Sequence, residues 1–120
     1  MSTTLLEKFG AAWNAHDVDA LLSMVTDDCV FETATGTDAH GTRVIGREAL
    51  RVAFPAAWNT WPDARWLEAT HFVCGNRGVS EWTFQGTDRN GRRTEVRGVD
   101  LFVLRDGRIA RKDTYRKSRT

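Results

Sequence analysis

Apolar residues recur at helical spacing at the start of the chain and alternate at strand spacing over its second half. Leu5, Leu6, Phe9, Ala12 and Trp13 fall three and four residues apart and therefore share one helix face. Thr4 followed by Glu7 predicts a capping box at that helix's start. Residues 14–16 break the pattern. Asp17 can then cap a second short helix with Val18, Leu21, Leu22 and Val25 on one stripe. The segment CVFETAT, 29–35, favours a strand, residues 36–42 a loop, and GREALRVAF a third helix entered from Gly46. Pro55 must stop, kink or restart that helix, and WNTWPD, 58–63, reads as irregular. From Arg65 onward the period is two. Turn signals at 74–78 (CGNRG), 88–91 (DRNG) and 105–107 (RDG) predict four consecutive antiparallel strands near 65–74, 78–87, 93–104 and 108–116. Helices followed by a run of long hairpins make an α+β arrangement. The concave face of such a bent sheet must be covered, and the N-terminal helices are the elements available to cover it.

Composition narrows the class. The chain has 120 residues, 41% apolar and 28% charged, which predicts one domain of ordinary folded composition. No apolar run reaches the roughly 20 residues of a membrane span, and the N-terminus lacks a signal pattern, so neither membrane nor secretion is expected. Cys29 and Cys74 have no metal-type spacing and read as reduced thiols of a cytoplasmic protein, with one disulfide left open. The net charge of +1 conceals an asymmetry. Residues 1–40 hold one base and seven acids, whereas residues 87–120 hold eleven bases and five acids. The basic third reads as a solvated sheet face and tail. Its bases are not interleaved with aromatics, so nucleic acid is not an expected partner.

Three separated stretches carry a resemblance. W-N-A-H-D-V-D-A-L-L-S-M-V-T-D-D-C-V-F, the helix start G-R-E-A-L and the closing G-V-D-L-F-V-L-R-D-G-R-I together resemble the SnoaL-like, polyketide-cyclase-like branch of the nuclear transport factor 2-like superfamily. The similarity spans nearly the whole chain. It implies a cone: a strongly curved antiparallel sheet wrapped around helices, with a pocket at the wide end and a homodimer formed through the outer sheet face. It does not imply one activity, because the superfamily hosts isomerases, cyclases, dehydratases, epoxide hydrolases and non-catalytic modules.

Asp100 is the first candidate for chemistry. In RGVDLFVL, alternation puts Gly98, Asp100, Phe102 and Leu104 on one face. A carboxyl group among Phe and Leu is costly unless paired or functional. Apolar surroundings favour its neutral form, and a neighbouring cation its charged form. By resemblance, a pocket aspartate here is an acid/base in the cyclases and an oxyanion donor in the ketosteroid isomerases. The residue opposite depends on the last turn. A two-residue turn at Asp106–Gly107 places Asp113 across from Asp100. A three-residue loop, 105–107, places Lys112 there, sets Ala110 and Thr114 inward, and leaves Ile109, Arg111, Asp113 and Tyr115 outside. The second register is favoured, with the first kept open. A three-residue loop at 89–91 sets Trp82 beside Gly98 and Ser80 beside Asp100, bringing Trp82 and Phe84 to the pocket wall.

His16 and His40 are expected to be exposed. His71 is read as a satisfied or exposed strand histidine, with a pocket acid/base as the sharper possibility. By resemblance, the ketosteroid isomerase aspartate and tyrosine are replaced by Thr33 and Phe9. The carboxylates of limonene-epoxide-hydrolase-type enzymes are replaced by the stretch Trp82, Thr83 and Phe84 and by Thr114. The reading is a protein that acts on, or binds, a small hydrophobic carbonyl compound by isomerase- or cyclase-type acid/base chemistry. Asp100 is the catalytic candidate. Phe9, Trp13, Ser80, Trp82, Phe84, Phe102, Lys112 and Thr114 are the candidate substrate contacts. No metal or organic cofactor is required, since hydrogen bonds can hold an enolate. The alternative is a non-catalytic small-molecule-binding or dimeric adaptor domain.

Overall fold

A computed structural model describes residues 2–120. The chain opens with α1 (Thr4–Asn14) and α2 (Val18–Ser23). Thr3, not Thr4, is the N-cap of α1, and its hydroxyl donates to Glu7 Oε2 at 2.8 Å. The predicted capping box does not form, because Thr3 makes no side-chain bond to the backbone of the first turn. Asp17 caps α2 as expected, accepting from the Ala20 N–H at 3.1 Å. Val25 leaves the predicted helical stripe and begins β1 (Val25–Glu32), four residues earlier than CVFETAT suggested. After a loop come β2 (Arg43–Ile45) and α3 (Arg47–Ala53), the latter entered from Gly46 at φ 94°. Pro55 restarts the helix as α4 (Ala56–Thr60), so Trp58 and Asn59 are helical rather than irregular. Then follow β3 (Arg65–Cys74), β4 (Arg77–Thr87), β5 (Arg93–Arg105) and β6 (Arg108–Arg116), within one residue of the predicted strands.

The six strands form one curved, unclosed sheet in the order β2-β1-β6-β5-β4-β3. Every pairing is antiparallel except β1 with β6. That parallel contact brings the acidic start of the chain beside its basic end. Arg111 and Arg105 of the basic third pair with Glu32 and Asp28 of the acidic third. Part of the asymmetry seen in the sequence is therefore an internal complementarity.

The concave face is covered by the helices. Leu6, Phe9 and Trp13 of α1 join Leu21, Leu50, Phe54, Phe102 and Ile109 in the main core. Asn14 clamps α1 to β3 by two reciprocal bonds: its Nδ2 donates to the Trp66 carbonyl (3.0 Å), and its Oδ1 accepts from the Trp66 N–H (2.8 Å). Two glycines on this face make room for rings. A Cβ on Gly98 would lie 2.4 Å from Trp82, and one on Gly86 would lie 2.8 Å from Trp61. Both thiols are free; Cys29 is buried and Cys74 exposed. Burial pushes the Cys29 thiol up to about 12. Among the described residues, no helix is long and apolar enough to cross a membrane.

Candidate functional site

Two β-bulges decide which side chains face inward. A bulge shifts a strand by one residue and so exchanges its faces beyond that point. In β3, Trp66 pairs with Phe84 but His71 pairs with Ser80, a one-residue shift centred where Glu68 adopts φ 56°. Simple alternation from Trp66 would turn His71 outward; the bulge turns it in. In β6 the hairpin turn has two residues, Asp106 (φ 53°) and Gly107 (φ 74°), the double left-handed geometry of a type I′ turn. Arg105 pairs with Arg108 and Leu104 with Ile109, and the register then slips so that Val103 pairs with Arg111. Ala110 is the extra residue.

Both registers considered from the sequence are therefore corrected. Asp100 lies opposite Thr114, and Lys112 lies opposite Phe102. Lys112 and Thr114 nevertheless point inward, as the favoured register required, because the bulge restores that parity. Ile109, expected outside, is fully buried because it precedes the bulge. The β4–β5 register is as expected: Trp82 opposite Gly98 and Ser80 opposite Asp100.

These side chains converge on a cavity of about 540 Å³ on the concave face. At its wall sits a buried polar cluster. The Asp100 and Lys112 side chains, 10% and 7% exposed, form an ion pair at 3.0 Å. Thr114 Oγ1 donates to Asp100 Oδ1 at 2.6 Å and accepts from Lys112 Nζ at 2.7 Å. The Trp82 indole N–H donates to Asp100 Oδ2 at 3.0 Å. All three neighbours are donors, so Asp100 serves as an acceptor-only carboxylate. They occupy three of its roughly four lone-pair sites and leave one on Oδ2. The Lys112 ammonium also lies 4.5 Å from the Phe31 ring centroid and 5.0 Å from that of Trp13. Cation–π attraction there helps to offset its desolvation.

A second polar pair stands beside this cluster. His71 Nδ1 is 2.7 Å from Ser80 Oγ, and both residues line the cavity. Ser80 is the cross-strand neighbour of both His71 and Asp100.

Of the sequence candidates, Asp100, Phe9, Trp13, Ser80, Trp82, Phe102, Lys112 and Thr114 all line the cavity. Phe84 does not. It is buried beneath Trp61 and Trp66, with ring centroids 5.0 and 5.3 Å away, so it supports the wall without forming it. Phe31, Phe54 and Arg116 were missed and also line the cavity. Of the five tryptophans whose abundance suggests a pocket for a flat apolar ligand, Trp13, Trp61, Trp66 and Trp82 line it and Trp58 does not. His16 and His40 are half-buried rather than exposed. His16 Nε2 lies 2.8 Å from the Ala64 carbonyl, and its ring stacks on Trp58 with centroids 4.9 Å apart. Among the described residues, no three His, Cys, Asp or Glu side chains converge as metal ligands would.

With the fold and cavity defined, comparison with known proteins places the chain. The SnoaL-like domain family matches residues 6–112. The chain belongs to this family. None of the curated proteins matches it. A solved structure of a proposed polyketide cyclase from Xanthomonas campestris pv. campestris superposes with a TM-score of 0.83 at 24% identity, covering 94% of this chain and 87% of that one. An NTF2-like protein of unknown function from Mesorhizobium loti superposes with a TM-score of 0.77 at 29% identity, covering 97% and 90%. A Catenulispora acidiphila DSM 44928 protein with a ketosteroid isomerase-like fold, solved with trimethylamine, gives 0.83 at 16% identity, covering 96% and 86%. These likenesses establish a cystatin-like, ketosteroid isomerase-like fold for this SnoaL-like protein.

Proposed function

We propose that the cavity binds a small, largely apolar carbonyl compound and moves a proton on it, in the manner of an isomerase or cyclase. One observation carries this reading: the buried Asp100–Lys112 pair stands in the wall of an otherwise aromatic cavity. An ion pair desolvated on that scale stabilises a fold poorly compared with apolar packing. Aimed into a cavity, it supplies a proton acceptor beside a cation able to hold an enolate oxygen. The open lone-pair site on Asp100 Oδ2 is the acceptor. Lys112 and the His71–Ser80 pair are the oxyanion and orienting groups. The chemistry needs no organic cofactor.

A specific observation also favours the non-catalytic alternative. Asp100 already accepts from Trp82 and Thr114 and pairs with Lys112, so most of its acceptor capacity is taken up within the protein. Proton exchange separates the two readings. An enolisable benzo-fused ketone, 2-tetralone, is incubated with the protein in D2O, and loss of its α-protons is followed by NMR. Catalysis predicts exchange above the buffer rate that Asp100→Asn abolishes. Binding without exchange assigns the cavity to a carrier or sensor.

We further propose a homodimer through the convex face of the sheet. There the side chains of Phe72, Val79 and Leu101 form one cross-strand row, and Val99 and Tyr115 lie in the next. Phe72 and Tyr115 are each 54% exposed, high for such rings. Sedimentation of a dimer at micromolar concentration, converted to monomer by Phe72→Glu, is the expected result. A wild-type monomer at that concentration rejects the interface. The soluble composition fits residence in the cytoplasm, with neither nucleic acid nor membrane as partner.

A further inference from the structure

Arg116 lies at the end of the inward-facing row that begins with Lys112 and Thr114, and it is the one arginine lining the cavity. Its guanidinium carbon is 5.4 Å from the Trp61 ring centroid and 5.7 Å from that of Phe84. Gly98, its cross-strand partner, has no side chain to compete for this space, and the Trp82 ring fills the room beside it. Like several surface arginines, Arg116 forms no ion pair with any described residue, but unlike them it faces the cavity. Arg116 as a residue is exposed, yet the packing around its guanidinium desolvates it enough to lower its pKa. It stays charged at neutral pH.

The two cations of the cavity therefore differ. Lys112 is neutralised by Asp100. Arg116 is held in place by rings and has no anion. The other carboxylate in the lining, Glu7, accepts from the Thr3 hydroxyl at 2.8 Å and forms no ion pair with any described residue.

We infer that the physiological ligand is an anion: a flat apolar body seated among the tryptophans, with a carboxylate or similar acidic group docked on Arg116. This rests on the proposed ligand-binding role of the cavity and names the class of compound it takes. A planar guanidinium presents two parallel N–H donors to a carboxylate, and a stacked one has already lost the freedom that docking would remove.

The test uses naphthalene probes of similar size and different charge. The intact protein is titrated calorimetrically with 2-naphthoate, with uncharged 2-naphthamide and with cationic 2-naphthylmethylammonium. Naphthoate is expected to bind about tenfold more tightly than naphthamide, the effect of one ordinary charge-assisted hydrogen bond. Arg116→Gln should bring the two within about twofold by weakening naphthoate alone, and Arg116→Lys should restore part of the preference. A merely structural Arg116 would change both affinities together. Equal binding of the acid and amide, tighter binding of the cation, or a preference that survives Arg116→Gln overturns the anion assignment while leaving a binding cavity. Failure of all three probes to bind overturns the cavity's proposed role as well.

Discussion

Glu32 and Asp100 are the two buried carboxylates among the described residues, and they are buried in different ways. Glu32 lies on the convex side, where Arg43 and Arg111 donate to its two oxygens. Those arginines are 43% and 45% exposed, so water still reaches the cations. Asp100 lies on the concave side, and its cation is as buried as it is. Glu32 is saturated by charge and ties β1 to β2 and β6. Asp100 is held by one lysine, one hydroxyl and one indole, and it retains an acceptor site at the cavity. A carboxylate enclosed by forked guanidiniums is a fastening; one left with open capacity beside a cavity is available for chemistry.

The largest effect expected from breaking this contrast is at Asp100. Asp100→Asn leaves Lys112 buried without its anion and should cost about 3–5 kcal/mol in urea unfolding. Asp100→Asn with Lys112→Met should regain most of that loss. If the single variant unfolds like the parent, the pair is not desolvated as described. Glu32→Gln should cost less, about 1.5–3 kcal/mol, because Arg43 and Arg111 can rehydrate.

The same substitution sharpens the comparison through pH. Burial raises the Glu32 pKa, but hydrogen bonds and charge from Arg111 and Arg43 outweigh it and hold the group below the usual glutamate range. A carboxyl group whose pKa is lower folded than unfolded stabilises the fold above the unfolded value, about 4.3, and loses that contribution as pH falls through the folded value. Stability measured from pH 6 to pH 3 should therefore fall more steeply in the parent than in Glu32→Gln. Parallel curves would mean that Glu32 has no such role.

Gly98→Ala attacks the concave side without altering charge. Its methyl group would collide with Trp82, at a cost of about 1–3 kcal/mol, and should weaken probe binding in the cavity. The smallest effect is expected at the surface. Arg105 and Asp28 are paired but 52% and 64% exposed, so Arg105→Ala should leave the urea midpoint essentially unchanged.

Much of the fold was legible because its signals are local. The helix stripe through Phe9 and Trp13, the cap at Asp17 and the Gly-containing turns act over a few residues, and the strands they delimit appear within a residue of expectation. The membership of Asp100, Trp82 and Ser80 in one inner face was legible for the same reason, since alternation and the 89–91 loop determine it. Phe84 shares that alternation but lies behind Trp61, which arrives from a different part of the chain. His71 was undervalued because nothing in the strand's composition marks the bulge at Glu68 that turns it inward.

The sequence by itself thus determined the family, the order of the elements and a carboxylate on the concave face of β5, because each depends on spacing along the chain. Only the tertiary structure decided what that carboxylate meets. The slip at Ala110 turns Lys112 and Thr114 inward, and the parallel seating of β1 against β6 joins the acidic and basic ends. A bulge arises where strand curvature, hairpin turn and helix packing must be satisfied together, and one such residue exchanges the two faces of everything beyond it.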